Sequence, residues 1–238
     1  MAQRAAIVTG ASSGIGLAIA EMLGEEGHGL TIAARRPEKL EAAAQALRDK
    51  GYEVESVAAM LGEEDGVKRV VAAHRERFGR LDVLVNNAGV GIGAPVAEID
   101  TRKLDMQLGV NLRSLILFYR ECVDLLRSTA AEHRRAQVIN MASIAGKRGQ
   151  AWLSVYSATK GAVVNFTEAM HKELSGEGIK STALCPGFVD TAMTDFVKGQ
   201  VPPEEMITTQ DIAEAARMLL RLSPNCIVPE IQFLRPGE

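Results

Sequence analysis

Short runs of aliphatic and β-branched residues alternate along the chain with longer stretches in which apolar residues recur about every three to four positions. The first pattern is that of a buried strand and the second that of an amphipathic helix. Seven strands are predicted at "AAIVTG" (5–10), "GLTIAAR" (29–35), "EVESVAAM" (53–60), "LDVLVNNAG" (81–89), "AQVINMAS" (136–143), "IKSTALCPG" (179–187) and "EIQFLRPG" (230–237). Helices are predicted between them. The first covers 13–27, with Ile15, Ile19, Met22 and Leu23 on one face. The second, 37–51, has Pro37 at an early helical position and Gly51 just past its end. Others follow at 66–79, about 101–129, about 154–175 and 208–223, the last capped by Thr208 or Thr209.

Strand–helix alternation without a break implies right-handed crossovers and a parallel sheet covered on both faces. No Pro/Ser-rich linker divides the chain. The expected fold is therefore α/β: one Rossmann-like, doubly wound domain spanning 1–238, with about seven strands and helices on both faces. Ligands of such a sheet bind beyond the carboxyl ends of its strands, near the point where strand order reverses.

Composition narrows the chemistry. A net charge of -3 gives no basic footprint for nucleic acid, and Arg134-Arg135 sits beside acids. No apolar run is long enough to span a bilayer, and the N-terminus lacks a signal-peptide layout. Cys122, Cys185 and Cys226 are widely spaced, and His28, His74, His133 and His171 are isolated. Neither set suggests a metal site or a disulfide framework. A cytoplasmic protein without metal, membrane or nucleic-acid partner is expected.

Three features carry candidate chemistry. "TGASSGIG" (9–16) places Gly10, Gly14 and Gly16 between the first strand and the first helix. Glycine permits a sharp turn and close backbone approach, and the helix N-terminus offers free N–H groups to a pyrophosphate. About twenty residues on, where an NAD site normally holds an acid for the ribose 2′-OH, the second strand ends in Arg35 and Arg36. A guanidinium suits a 2′-phosphate, so NADP (NADPH) is favoured, with NAD as the alternative and solvated arginines as the plain reading. Finally, Ser143 ends the fifth strand, and Tyr156 and Lys160 follow on the next helix, one turn apart. An isolated Y-x-x-x-K is usually structural; its placement beside the glycine loop and the serine is what points to a site.

"TGASSGIG", "NNAG" (86–89), Asn111 in "GVNL", Ser143, "YSATK" and "PGFVDT" (186–191) occur in order over nearly the whole chain. Together they resemble the short-chain dehydrogenase/reductase family in its compact branch. The resemblance implies that Tyr156 is the general acid of reduction and the base of oxidation. Ser143 would hold the substrate oxygen, and Lys160 would bind the nicotinamide ribose and favour the phenolate. Asn111 would hold a water that links Lys160 to solvent. Cofactor contacts are implied for Gly10, Ser12, Ser13, Gly14, Ile15, Gly16, Arg35, Arg36, Leu61, Ala88, Gly89, Tyr156, Lys160, Pro186, Gly187, Val189 and Thr191. Asn87 would contact the adenosine ribose or brace strand four. Met60 stands where the family commonly has an acid for the adenine amine, which implies a different adenine contact.

Substrate-side loops bring Ile92, Trp152, Phe188, Met193 and Phe196 toward an apolar pocket, while Lys147 and Arg148 read as solvated. The segment 189–207, with Gly199, Pro202 and Pro203, reads as a substrate lid. The expected substrate is a carbonyl or secondary alcohol on a medium-sized, largely apolar molecule, a 3-oxoacyl thioester being one candidate among several. The long fourth helix is apolar on more than one side, and the family implies a homotetramer or homodimer through such helices. Two readings compete with an NADP(H)-dependent reductase: an NAD-linked alcohol dehydrogenase, and a cofactor-binding sensor or scaffold without turnover.

Overall fold

The structure, a computed structural model, describes residues 4–237; the expected domain's outermost residues, 1–3 and 238, lie outside the described residues. Strands β1 (Arg4–Thr9), β2 (His28–Ala34), β3 (Val54–Ala58), β4 (Val83–Asn86), β5 (Ala136–Met141), β6 (Ile179–Pro186) and β7 (Glu230–Phe233) form one sheet in the order β3-β2-β1-β4-β5-β6-β7. Every pairing is parallel. The order reverses between β1 and β4, so a crevice opens beyond their carboxyl ends.

The helical pattern of the sequence decides which face each helix covers. From α1 (Gly14–Glu25), α2 (Pro37–Asp49) and the last helix, Thr209–Arg221, the residues Ile19, Leu23, Leu40, Leu47, Ile212 and Leu219 pack on one side of the sheet. On the other side lie α3 (Glu64–Phe78), which contributes Val70, and the two long helices Ser114–His133 and Ser154–Leu174, which contribute Phe118 and Val163. Burial of these apolar faces is the main stabilising term, at roughly 25 cal/mol per Å² of apolar surface removed from water.

The expected helix at 101–129 is not continuous. It divides into α4 (Thr101–Leu108), a π-helical turn at Gly109–Arg113, and α5 (Ser114–His133). The wide turn accommodates the Ser114 hydroxyl, which donates to the Val110 carbonyl at 2.7 Å, and turns Asn111 inward until it is buried. Single π turns of this kind are frequent at functional sites. Ser154–Leu174 is α6 and Thr209–Arg221 is α7. Thr208 is the cap of α7: its hydroxyl accepts from Asp211 N at 3.1 Å, while the Asp211 carboxylate accepts from Thr208 N at 2.8 Å.

The strand predicted over 81–89 leaves the sheet at Asn86. Beyond it the backbone turns to Thr9, whose hydroxyl accepts from both Asn87 N and Ala88 N at 3.0 Å. Beneath the crevice, Asn86 Nδ2 donates to Asn140 Oδ1 at 2.9 Å, and Asn140 Nδ2 donates to the Tyr119 hydroxyl at 2.8 Å. This buried chain ties β4, β5 and α5 together and fixes the spacing of the loops above them. Segment 189–207 is pinned at its base by a parallel bridge between Val189 and Ile207 and holds two 3₁₀ turns, Ala192–Val197 and Pro203–Glu205. Among the described residues, no helix is long and apolar enough to cross a membrane.

Candidate active site

A cavity of about 1160 Å³ runs along the carboxyl ends of the strands. At one end lies the N-terminus of α1, lined by Gly10, Ser12, Ser13, Gly14 and Ile15. Gly10 and Gly14 have φ of 68° and 59°, the left-handed region that side chains avoid. Ser13 caps the helix in extended conformation without a side-chain bond, and the first turn holds no acid. The terminal N–H groups and the positive end of the helix dipole are thus left to a ligand, the arrangement that suits a phosphate.

Gly16, expected among the cofactor contacts, does not line the cavity. It is buried between α1 and the loop after β4. A Cβ there would stand 2.4 Å from Asn87 Nδ2 and 2.5 Å from the Gly10 carbonyl oxygen. Its role is close packing of helix on strand. Asn87 lines the cavity and also braces it, as Nδ2 donates to the Thr9 carbonyl at 2.9 Å. Ala88 and Gly89 follow along the wall.

Arg35 and Arg36, exposed past β2, face the same cavity, and among the described residues neither side chain has a hydrogen-bond or acidic partner. Past β3, Met60 is half-exposed, and Leu61 is buried beside it. Both line the cavity and give it an apolar floor there, with Glu63 further along the same loop. Past β6, Pro186, Gly187, Val189 and Thr191 close the opposite side. The Thr191 side chain lies against Gly14, 3.2 Å from where a Cβ would be, and Thr191 N donates to the Thr194 hydroxyl at 3.3 Å at the start of the 3₁₀ turn Ala192–Val197.

The central group comes from β5 and α6. Ser143 is buried just beyond β5; its hydroxyl accepts from Ala145 N at 3.1 Å and donates to Pro186 O at 3.4 Å. The same hydroxyl lies on the side of the site where Tyr156 stands, and both residues line the cavity. One helical turn on, Lys160 is buried, with Nζ donating to the Met141 carbonyl at 2.6 Å and lying 5.7 Å from the centroid of the Tyr156 ring. Burial raises the Tyr156 phenol above its ordinary value, with the nearby Ser143 hydroxyl acting the other way. Burial also lowers the Lys160 ammonium to about 8. Burial is the largest influence on both groups in this structure.

Asn111 does not line the cavity. Its Oδ1 accepts from Val90 N at 2.8 Å, while Nδ2 donates to Val90 O at 2.9 Å and to the Thr159 hydroxyl at 3.0 Å. It therefore clamps the loop after β4 to α6. Asn111 still borders the lysine: a Cβ on Gly89 would lie 3.4 Å from Lys160 Nζ and 3.5 Å from Asn111 Oδ1.

At the substrate end, Ile92, Trp152, Phe188, Met193 and Phe196 all line the cavity. Lys147 is withdrawn into an ion pair with Glu230 at 2.8 Å, whereas Arg148 borders the cavity. Sequence reasoning missed Thr9, Thr159, the Met141 carbonyl and buried Gln107, whose Oε1 accepts from Ile92 N at 3.1 Å. The signal for the threonines was there, since both stand inside the quoted motifs, Thr9 in "TGASSGIG" and Thr159 in "YSATK". The roles of a main-chain carbonyl and of Gln107 depend on the path of the chain.

A dinucleotide-type crevice with serine, tyrosine and lysine at its centre defines a class of nicotinamide-dependent oxidoreductase folds. The sequence profile of the short chain dehydrogenase family matches residues 4–201, and the chain belongs to that family. A protein of Streptomyces virginiae assigned as the ketoacyl reductase of the monensin polyketide synthase is 40% identical over 195 residues, covering 82% of this chain and 74% of the relative. The structure of an actinorhodin polyketide ketoreductase with NADPH superposes with a TM-score of 0.88 at 31% identity, over 98% of this chain and 97% of the other. A 3-ketoacyl-(acyl-carrier-protein) reductase from Brucella melitensis, solved with NADH, gives 0.85 at 28% identity over 97% of each chain.

Proposed function

We propose that this oxidoreductase reduces a carbonyl to a secondary alcohol with NADPH. The observation that carries the reading is the set of buried Ser143, partly buried Tyr156 and buried Lys160 facing a cavity that also holds an open helix N-terminus. The residues present fit a nicotinamide dinucleotide: the N-terminus of α1 suits its pyrophosphate, Arg35 and Arg36 a 2′-phosphate, and Leu61 and Met60 an apolar adenine face. When bound, that group supplies the hydride. Ser143 holds the substrate oxygen, and Tyr156, whose phenol keeps its proton at neutral pH, gives it that proton as negative charge develops there. The Lys160 ammonium stabilises the phenolate left behind, and reprotonation from solvent passes along the side of the site that Asn111 keeps in place. In the oxidative direction the same groups run in reverse, with Tyr156 as base.

The NADPH of the actinorhodin relative and the unpaired arginines both favour NADP(H). The NADH of the Brucella relative supports NAD(H) as the second reading. Purified protein incubated with NADPH and a panel of ketones and diketones should oxidise the cofactor; binding without turnover across the panel would favour a sensor. Exposed Met106, Leu108 and Ile116 on the α4–α5 face support assembly into a homodimer or homotetramer, which light scattering would test. The segment 189–207 is read as the lid of this site.

A further inference from the structure

Trp152 has features that its place in a loop does not require. Its φ is 68°, a conformation that is a true outlier for a bulky side chain. The conformation is held from outside, because Ala94 N donates to the Trp152 carbonyl at 2.8 Å. The indole lies flat over Gly93: a Cβ there would stand 2.4 to 2.5 Å from three of its ring atoms. Across the cavity mouth the ring meets Phe196 of segment 189–207, with centroids 6.0 Å apart and planes tilted by 52°. Yet both rings line the cavity and remain about half open to solvent, Trp152 at 51% and Phe196 at 56%.

Two large aromatics held face-out at a cavity mouth leave apolar surface uncovered, which a ligand can cover. The wall is continuous with the chemistry. A Cβ on Gly91 would lie 3.7 Å from the Tyr156 ring and 4.0 Å from Met193 Sδ, and Gly91, Met193, Trp152 and Phe196 all line the same cavity as the phenol.

We propose that Trp152 and Phe196 form an aromatic clamp that sets substrate specificity, selecting carbonyl compounds whose apolar, preferably aromatic, portion extends from the reacting carbon to the cavity mouth. This inference rests on the carbonyl-reductase reading. Trp152 determines the selection because its ring is fixed from below by Gly93, whereas Phe196 belongs to segment 189–207.

The test compares a small diketone with an aryl-substituted diketone in the wild type, Trp152→Gly and Phe196→Ala. Glycine suits the left-handed conformation at 152, so Trp152→Gly relieves backbone strain and a loss of fold does not confuse the result. The ratio of kcat/KM for the aryl compound over the small one should fall by about tenfold or more in each variant, in KM rather than kcat. Trp152 is the only tryptophan in the chain, so its emission reports the clamp directly. The alcohol product of the aryl compound should quench or shift that emission in the wild type and more weakly in Phe196→Ala, and the small alcohol should leave it as it was. An unchanged ratio, or emission indifferent to the aryl alcohol, would overturn the clamp while leaving the reductase reading in place. Absence of turnover on both compounds in the wild type, with NADPH or NADH, would instead remove the reading on which the clamp rests.

Discussion

Lys160 Nζ donates to the Met141 carbonyl at 2.6 Å while lying 5.7 Å from the centroid of the Tyr156 ring. The end of β5 thus holds the cation over the face of the phenol ring. Burial brings the ammonium down to about 8, so the lysine is charged below that pH and loses its proton above it. A neutral amine cannot stabilise the phenolate that remains after proton donation. The reductive kcat/KM is therefore expected to hold through neutrality and fall as pH rises through about 8. In Lys160→Arg the guanidinium stays charged, and that descending limb should move to higher pH even though the maximal rate is lower. A pH profile of both proteins checks this.

Arg35 is expected to set cofactor choice. Removing a guanidinium from a phosphate should weaken NADPH binding by about 10- to 100-fold and leave NADH binding nearly as it was. Titration of both cofactors against the wild type and Arg35→Ala reads the difference. Equal loss for both would place Arg35 at a general anion contact.

Gly16 separates packing from ligand contact. In Gly16→Ala the new methyl would press on the Gly10 carbonyl oxygen, which is main chain and cannot swing aside. Stability should fall by about 1–3 kcal/mol, as overpacked interiors do. Cofactor affinity should fall too, since Gly10 and Asn87 carry the glycine loop. Denaturant midpoints and cofactor titrations measure the two effects.

How much of this was legible in the sequence depends on how local each signal is. The strands, their parallel pairing and the glycine loop follow from period and position, as do Ser143, Tyr156 and Lys160 on adjoining elements. What was not legible depends on the path of the chain. The π turn that buries Asn111 comes from a side chain bonding back to its own helix and from Thr159 and Val90 arriving across space. The raised phenol and lowered ammonium follow from desolvation, which no spacing of residues expresses. The left-handed Trp152 likewise belongs to the loop it closes.

His28 and His74 give the fold an acid limit. Both are buried, and burial lowers each to about 4. His74 is also fixed between the Thr31 hydroxyl and the Arg80 carbonyl, each at 2.8 Å. The folded values lie below the unfolded value of about 6.5, so the unfolded chain binds more protons between those limits. Their contribution is present above about pH 6.5 and is lost as pH falls toward about 4. Urea midpoints should decline over that window, and His74→Gln should make the decline shallower.

The most direct test of the account is a single comparison of wild type with Tyr156→Phe. NADPH binding by titration and NADPH oxidation with a ketone that the wild type reduces are measured on both. The account predicts that the variant binds NADPH within about threefold of the wild type, since only a hydroxyl is lost, and that turnover falls by at least about 10²-fold, the scale of a general acid. Retained turnover in Tyr156→Phe would contradict the assignment of Tyr156 as the proton donor and, with it, the mechanism built on this site.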